Sequence, residues 1–491
     1  MRATWRTYTG CRQFVEMAGL LRFGLAWASV FLFSVVTIEA ATTLPNIVIV
    51  MPDDIGYGDF ACLGNPVIHT PSIDSLWRES VRFTDFHVSP TCAPTRAALM
   101  TGRHEFKNGV THTINERERL TLRATTIAQM LKSAGYATGI FGKWHLGDEP
   151  ERWPDKRGFD EMFIHGAGGI GQTYPGSCGD APGNKYFDPA ILHNGKFERT
   201  HGYCTDVFFR QVEDWIESVK GKRPFFAYIT PNAAHMPLDV PDEYFRRYQG
   251  KVPEKVAKFY GMIENIDENV GKLLARLDEW GIADNTLVIF MTDNGTATGA
   301  TVFNAGMRGA KNSPYQGGTR VPSFWRWPAR FRGGVDCNAL AAHIDIFPTL
   351  AEITGADKNV NDDVKRQVEG RRLLPLLLNP RAEWPNRTLV THIGRWDRGQ
   401  AEKSKFAGCS IRDERFALVN NQELYDLKDD PGEKQNVIDD HPEVSKRLRA
   451  AYDAWWQSVL PCLENEDAVG PKENPFKELY RKQFGAVDQS N

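Results

Sequence analysis

Four unbroken apolar runs, each followed at once by charged or polar residues, constrain the fold of this chain more than any other feature. The runs are Asn46–Met51, Ala137–Phe141, Phe225–Ile229 and Thr286–Met291. Apolar runs without alternation are typical of strands that are buried on both faces, as in a mostly parallel sheet. Helical patterns over Thr125–Ala134 and Lys255–Trp280 separate the runs. The sequence therefore predicts an α/β fold, with a large, mixed, mostly parallel sheet flanked by helices.

The polar residues at the ends of these runs form a second pattern. They are Asp53, Asp54, Lys143, His145, His235, Asp293 and Asn294. Ligands of open α/β sheets bind in the crevice beyond the carboxyl ends of the strands. Most loops begin with polar residues, but acids, an amide, a lysine and histidines are an unusual choice over Ser and Gly. We therefore expect these side chains to converge on one site.

The hydrophobic pattern of the sequence changes after a helical pattern at Ile344–Ile353. Short alternating runs follow at Thr388–Ile393, Cys409–Ile411 and Phe416–Asn420, and a helical pattern covers Pro442–Ser458. Alternation predicts strands with one solvated face, as in antiparallel sheets. We expect a catalytic α/β domain over residues 44–375 and a C-terminal subdomain over 386–470, made of an antiparallel sheet and one helix.

The N-terminus has the composition of a targeting segment. Four arginines precede the apolar run Phe23–Ile38, and the small residues Ala40, Ala41 and Thr42 follow it. This order is typical of a secretory signal peptide, here residues 1–40. The run is shorter than the roughly 20 residues of a membrane span, although an uncleaved anchor stays open. We expect export to the periplasm or the extracellular space, with no stable membrane span after signal removal.

Charge and cysteine content set further limits on partners and cross-links. The net charge of −3 gives no electrostatic basis for binding nucleic acid. Of the eight cysteines, Cys11 lies in the predicted signal and Cys92 in a separate motif, which leaves six that could form disulfides after export. Cys178 and Cys204 flank one loop-rich segment and are the best candidate pair.

The donor types at the strand ends determine which metal ion they would suit. Asp53, Asp54, Asp293 and Asn294 offer only hard oxygens. Such ligands favour Ca²⁺ or Mg²⁺, whereas zinc would take His or Cys. The histidines, lysines and Arg96 would supply positive charge and hydrogen-bond donors around the ion.

The segment from Cys92 to Arg103 reads Cys-Ala-Pro-Thr-Arg-Ala-Ala-Leu-Met-Thr-Gly-Arg. Cys92 has no partner cysteine at zinc-ligand spacing and no Cys-x-x-Cys neighbour, so neither a zinc site nor a thioredoxin-like centre fits. The segment closely resembles the signature of the type I (formylglycine-dependent) sulfatases of the alkaline phosphatase superfamily. In that family the cysteine is oxidised to Cα-formylglycine, and the hydrated aldehyde is the nucleophile.

The resemblance continues through several further motifs between residues 44 and 445. They are Pro52-Asp53-Asp54, Gly142–Gly147, Ala234–Pro237, Asp293–Gly295, Arg308–Lys311 with Gly317–Pro322, and Leu424–Leu427 with Pro431. Their order agrees with the family, which is more specific than any single motif. Two positions depart from the common pattern: Thr95 replaces Ser, and Gln316 replaces a Glu before paired glycines. The second change keeps the shape and a hydrogen-bond acceptor but removes a charge, and with it the means to form an ion pair.

The resemblance implies a role for each site residue. Cys92, as the hydrate, would attack sulfur and coordinate one Ca²⁺ (or Mg²⁺) together with Asp53, Asp54, Asp293 and Asn294. Arg96 and Lys143 would hold the hydrate, and His145 would take the proton that lets the sulfated intermediate collapse. His235 and Lys311 would bind sulfate oxygens and assist the leaving alcohol. A formylglycine-generating (sulfatase-maturating) enzyme is the implied protein partner.

The predicted function is hydrolysis of sulfate esters by an exported sulfatase, and the substrate is a sulfated small molecule or, more specifically, a sulfated carbohydrate. Two alternatives stay open: a phosphonate or phosphate ester hydrolase, and an unmatured, non-catalytic sulfoglycan-binding protein. The irregular segment Gly166–Asn194, with Tyr174, Tyr186 and nearby His165, could stack on a sugar, although a structural Ω-loop fits as well.

Overall fold

The computed structural model describes residues 44–174 and 176–485, and its strands form three sheets. In this part of the chain the strands are β1 Asn46–Val50, β2 Val81–Phe83, β3 Phe86–His87, β4 Ala137–Lys143, β5 Glu161–His165, β6 Ala190–His193, β7 Lys196–Arg199, β8 Phe225–Thr230, β9 Thr286–Met291, β10 Ser323–Arg326, β11 Val335–Cys337, β12 Ala341–Ala342, β13 Leu389–His392, β14 Cys409–Arg412, β15 Phe416–Val419 and β16 Glu423–Asp426.

The α-helices surround these sheets. Within the described ranges they are α1 Pro71–Arg78, α2 Cys92–Thr101, α3 Ile127–Ser133, α4 Cys204–Val219, α5 Asp242–Tyr248, α6 Glu254–Glu279, α7 Gln316–Thr319, α8 Ile346–Thr354, α9 Asp362–Gln367, α10 Leu374–Leu378, α11 Pro442–Val459 and α12 Pro475–Phe484.

The large sheet has ten strands in the order β11-β2-β10-β9-β1-β8-β4-β5-β6-β7. Its five central strands, β9-β1-β8-β4-β5, are all parallel, and antiparallel pairs occur toward the two sides. The four apolar runs of the sequence are β1, β4, β8 and β9, which are neighbours in this central block. The predicted mixed, mostly parallel sheet is confirmed.

Both faces of the central strands are buried, which explains why their sequences do not alternate. In β1, Ile47 and Ile49 pack toward the layer that contains α2, α3 and α8. Val48 and Val50 pack toward the opposite layer, which contains α4 and α6. Each such side chain gains about 1.5–3 kcal/mol by leaving water. A polar substitution on either face would therefore destabilise the fold.

The four-stranded sheet β13-β14-β15-β16 is antiparallel throughout, as the alternating runs predicted. One face of it is covered by α11, where Leu448, Tyr452 and Trp456 recur every four residues and are buried. Phe106, from the segment after α2, packs edge-on against Trp396 in the same cluster. The small sheet is thus joined to the region that carries Cys92.

Each strand and helix that the sequence predicted is present, and the described residues contain further elements that it did not predict. Helix α12 lies beyond the predicted subdomain and packs Phe476 and Tyr480 against Phe197 of β7. In the part of the chain that the structure describes, no helix combines the length and the apolar character needed to cross a membrane. The predicted signal peptide lies outside the described residues.

The expected disulfide between Cys178 and Cys204 is wrong. All seven cysteines of the described residues are free thiols. The Cys204 thiol donates to Asn232 Oδ1 at 3.4 Å, whereas the Sγ atom of Cys178 lies 3.4 Å from Nε2 of His145. Cys178 and Cys204 flank one loop-rich segment in the sequence, but their sulfur atoms have different partners in the structure.

Candidate active site

The polar strand ends meet at one edge of the large sheet. Asp53 and Asp54 follow β1, Lys143 ends β4, His235 follows β8, and Asp293 and Asn294 follow β9. Val50 of β1 is level with Phe290 of β9, so the two acidic motifs each begin three residues beyond paired positions. Because these strands are parallel neighbours, the sheet topology brings the motifs together.

Hydrogen bonds tie the acidic motifs to each other. The Asp54 backbone N–H donates to Asp293 Oδ1 at 3.1 Å, and the Asn294 side chain donates to Asp54 Oδ1 at 3.1 Å. The Lys143 ammonium donates to Asp53 Oδ2 at 2.5 Å, and both side chains are fully buried. The carboxylates are therefore held in fixed positions away from bulk water.

Helix α2 places Cys92 against this acidic group. Cys92 is the first residue of the helix, and the Cys92 Sγ atom and carboxylate oxygens of Asp53 and Asp293 all lie within 4.8 Å of one another. Arg96, four residues later, lies on the same helix face. Its guanidinium donates to Asp293 Oδ2 at 2.8 Å and to the Lys143 carbonyl oxygen at 3.2 Å. The helix N-terminus adds partial positive charge where Cys92 sits.

The three buried carboxylates differ in pKa because different charges surround them. Burial raises the pKa of Asp53 to about 6 despite the Lys143 ammonium, and burial together with the Asp53 charge raises the pKa of Asp293 to about 7. Burial acts in the same direction on Asp54, but the charges of Lys311 and His235 outweigh it and hold its pKa below the ordinary value. A cation bound beside Asp53 and Asp293 would stabilise their ionised forms.

The donor set fits a hard divalent cation. Asp53 Oδ1 and Asn294 Oδ1 are buried and have no hydrogen-bond partner among the residues that the structure describes. Buried oxygens without partners are costly, and a metal ion would satisfy them. Carboxylate and amide oxygens are the ligands of Ca²⁺ and Mg²⁺. Asp53, Asp54, Asp293, Asn294 and the side chain at position 92 could hold such an ion.

His145 is held in a defined tautomer. Its Nε2 atom lies 2.7 Å from the Thr113 carbonyl oxygen, which can only accept, so Nε2 carries the proton. Its Nδ1 atom is buried and has no partner among the described residues, which leaves its lone pair available. Burial and the nearby Lys143 charge hold the pKa of His145 well below its ordinary value. The ring is therefore neutral and able to accept a proton.

Lys311 and His235 lie on the other side of Asp54. The Lys311 ammonium donates to both carboxylate oxygens of Asp54, at 2.6 Å to Oδ2. His235 Nε2 lies 3.7 Å from Asp54 Oδ2, and its Nδ1 contacts the Met236 carbonyl oxygen at 2.7 Å. The Lys311 ammonium and the His235 imidazole thus lie beside Asp54 and remain partly accessible to solvent.

A cleft of about 190 Å³ opens onto Cys92, and we call it the Cys92 cleft. It is lined by Cys92, His112, Thr113, Ile114, His145, Gly168, Gln172, Tyr174, His235, Lys311 and Arg395. The strand-end residues of this group are those that the sequence predicted. His112 and Arg395 were missed because they lie in loops that no periodicity or motif connects to the strand ends. Gln172 was not named either, although it lies in the segment Gly166–Asn194 that the sequence singled out.

The segment Gly166–Asn194 contributes to the cleft differently from the expectation. Tyr174 lines the cleft and is half-buried. Tyr186 is fully buried, and its hydroxyl donates to the carbonyl oxygens of Asn232 and His235. His165, at the end of β5, is buried too. Sugar stacking by Tyr186 or His165 is therefore ruled out by burial, and Tyr174 alone of the three keeps that candidacy.

Gln316 joins the Lys311 segment to the small sheet. Its side-chain amide donates to the Pro431 carbonyl oxygen at 2.9 Å, and its backbone N–H donates to Glu433 at 2.8 Å. Glutamate could not make the first of these bonds because an ionised carboxylate has no donor. The substitution thus replaces a charge with a neutral link to the turn that follows β16.

Comparisons with known proteins agree with this architecture. The sulfatase family model matches residues 45–356, and the model for the C-terminal region of N-sulphoglucosamine sulphohydrolase matches residues 310–454. Arylsulfatase J of Mus musculus is 30% identical over 331 residues, which cover 66% of this chain and 55% of that protein. The match therefore spans little more than half of that relative.

Two further similarities cover more of both chains. Arylsulfatase A of Homo sapiens is 30% identical over 458 residues, which cover 82% of this chain and 86% of that protein. The crystal structure of Ps i-CgsB in complex with k-i-k-neocarrahexaose has a TM-score of 0.76 and 27% identity. That alignment covers 87% of this chain and 95% of the other.

Proposed function

The chain belongs to the sulfatase family, whose members hydrolyse sulfuric esters, and we propose that it is an exported sulfatase of sulfated carbohydrates. The observation that carries the proposal is the position of Cys92. Its sulfur lies within 4.8 Å of two buried carboxylates at the N-terminus of a helix, beside Arg96 and Lys143. A sulfuryl group bound there would meet fixed positive charge on several sides.

The proposal includes maturation of Cys92 to formylglycine. This change removes two electrons from the Cys92 side chain and replaces its sulfur with an oxygen atom from water. A maturation enzyme with its own oxidant must carry it out, with the sulfur leaving as sulfide. The hydrated aldehyde supplies a hydroxyl nucleophile, and a second hydroxyl on the same carbon whose deprotonation can expel sulfate. A bound Ca²⁺ or Mg²⁺ would polarise the sulfate and the nucleophile.

Residues around position 92 then have separable tasks. Arg96 and Lys143 orient that side chain and the carboxylates beside it. His145, neutral and with its Nδ1 lone pair available, takes the proton from the second hydroxyl. His235 and Lys311 bind sulfate oxygens and stabilise the leaving alcohol. The hydrogen bond from His145 Nε2 to Thr113 keeps the basic nitrogen from rotating away.

A carbohydrate substrate is supported by the shape of the cleft and by one relative. The Cys92 cleft has an aromatic wall residue, Tyr174, and polar lining from loops. The solved structure of Ps i-CgsB contains a bound neocarrahexaose. Sugars are bound through such combinations of ring stacking and hydrogen bonds. Export through the N-terminal segment at residues 1–40 belongs to the same proposal.

Release of sulfate and phosphate from matched esters tests this function. Purified protein with verified aldehyde at position 92 should release sulfate from 4-nitrophenyl sulfate and from members of a panel of sulfated glycans. Faster turnover of phosphate or phosphonate monoesters would favour the alternative hydrolase. Binding of sulfated glycans without any turnover would favour a non-catalytic binding protein.

A further inference from the structure

Arg395 is a charged residue of the Cys92 cleft. The proposed cleavage of a sulfate ester gives it no role. Arg395 follows β13 of the small sheet and is half-buried. Its guanidinium donates to Thr113 Oγ1 at 2.8 Å, while its Nε atom is buried without an acceptor. Among the described residues, no carboxylate lies within ion-pair distance of it. Arginine carries five N–H donors, so most of its donor capacity is unused.

The neighbouring arginines Arg398 and Arg117, unlike Arg395, each have a carboxylate partner. Arg398, three residues later, donates to Glu116 at 3.2 Å and to the Ala468 carbonyl oxygen at 2.8 Å. Arg117 lies 3.0 Å from Glu466. A half-buried guanidinium without an anion has lost hydration, and the one hydrogen bond to Thr113 replaces only part of it. Arg395 therefore differs from both neighbouring arginines: it lies in the cleft and has no carboxylate partner among the described residues.

The backbone around Arg395 is built to hold it in place. Gly394 and Arg395 both have positive φ, 67° and 60°, a conformation that is uncommon for a residue with a side chain. A Cβ atom at Gly394 would lie 1.9 Å from the Thr111 carbonyl oxygen, so this turn packs directly on the 111–113 segment. The next residue, Trp396, is buried and accepts from Arg117 at its carbonyl oxygen. Strain kept in this way often marks a functional position.

His112 supplies a second unused donor next to Arg395. Its Nδ1 atom accepts from the backbone N–H groups of Thr113 and Ile114, at 2.8 and 3.1 Å. Burial and the Arg395 charge lower the pKa of His112 to about 3, so the ring is neutral and its proton sits on Nε2. No described residue accepts from that Nε2–H. The described residues that line the cleft include no acid.

We propose that Arg395 and His112 form a subsite for a second anionic group, a carboxylate or a further sulfate, on the alcohol part of the substrate. The inference rests on the proposed sulfatase function and narrows its substrate class to polyanionic sugars. In this arrangement the scissile sulfate lies with Cys92, His235 and Lys311, and the second anion meets the guanidinium of Arg395 and the Nε2–H of His112. A planar guanidinium is suited to bidentate contact with carboxylate or sulfate oxygens.

The test compares matched substrates in the mature enzyme. Each pair of methyl glycosides carries the scissile sulfate at the same hydroxyl. One member is otherwise neutral, and its partners add either a carboxylate or a second sulfate. The wild type should prefer the anionic members. Arg395→Met should lower the ratio of kcat/KM between anionic and neutral members by about 10–100-fold, as expected for charge-assisted hydrogen bonds. The added group, carboxylate or sulfate, whose preference is lost in Arg395→Met is the anion that the subsite binds.

Arg398→Met is the matched control, since it removes an arginine from the same loop outside the cleft, and it should leave the ratio unchanged. If Arg395→Met lowers kcat/KM equally for both members, Arg395 positions Thr113 or binds the scissile sulfate, and the subsite is wrong. A wild type without preference for the anionic members overturns it as well. Failure of the wild type to release sulfate from any of these glycosides and from 4-nitrophenyl sulfate would instead overturn the proposed function itself.

Discussion

The floor and the rim of the Cys92 cleft are built on different principles. The floor, formed by Asp53, Cys92, Lys143 and Asp293, comes from strand ends and a helix start, and each of its side chains is buried and ion-paired or held close to a carboxylate. The rim, formed by His112, Tyr174 and Arg395, comes from loops and is partly exposed. Sheet topology therefore fixes the chemistry, while loops are free to set the substrate.

The largest expected effect is the loss of the nucleophile from the floor. Cys92→Ala should lower kcat by about 10⁴-fold or more on every sulfate ester, because no other side chain can form the covalent intermediate. Cys62→Ala, at a half-buried free cysteine remote from the cleft, is the control and should be fully active. Near wild-type turnover by Cys92→Ala would show that the floor does not supply the nucleophile.

Removal of a metal-binding carboxylate should come next in size. Asp293→Asn should lose both bound Ca²⁺ or Mg²⁺ and activity, with kcat/KM falling about 10²–10⁴-fold, because the cation stabilises charge in the transition state by several kcal/mol. Elemental analysis and kinetics on the same sample check this. Asp336→Asn, which changes a carboxylate on the far edge of the sheet, should change neither. Stoichiometric zinc on which activity depends would contradict the assignment.

The two histidines should divide the reaction between them. His145→Ala should release the leaving alcohol once, in a burst, and accumulate a sulfate adduct on residue 92. His235→Ala should slow the first step by about 10²–10⁴-fold, most for poor leaving groups such as sugar alcohols. Mass spectrometry of each variant after incubation with substrate checks both. An adduct on the His235 variant and none on the His145 variant would reverse the roles.

At the rim, the expected effects are smaller and depend on the substrate. Tyr174→Ala should lower kcat/KM for a sulfated glycan by about 2–10-fold, the range of a lost aromatic contact. Phe187→Ala changes an exposed aromatic residue of the same segment outside the cleft and should have no effect. A Tyr174→Ala enzyme that is as impaired as a floor variant would mean that floor and rim are not separable.

The same division explains what could be predicted from the sequence. β1 and β9 were foreseen because strands buried on both faces require unbroken apolar runs, and their polar ends had to meet at one edge. Of the rim residues, Tyr174 was named as a candidate sugar contact. Arg395 and His112 were not, since they belong to loops whose meeting depends on how the small sheet packs. Tyr186 was misassigned for a related reason: its residue type suits a sugar, but packing buried it beneath Asn232 and His235.

The state of residue 92 in active enzyme tests the central claim most directly. Mass spectrometry of the tryptic peptide Phe83–Arg96 measures the fraction of aldehyde, and sulfate-ester turnover is measured on the same preparations. The account predicts that specific activity is proportional to the aldehyde fraction and is absent from protein with only the thiol. Full activity in protein whose Cys92 is entirely unmodified would contradict it.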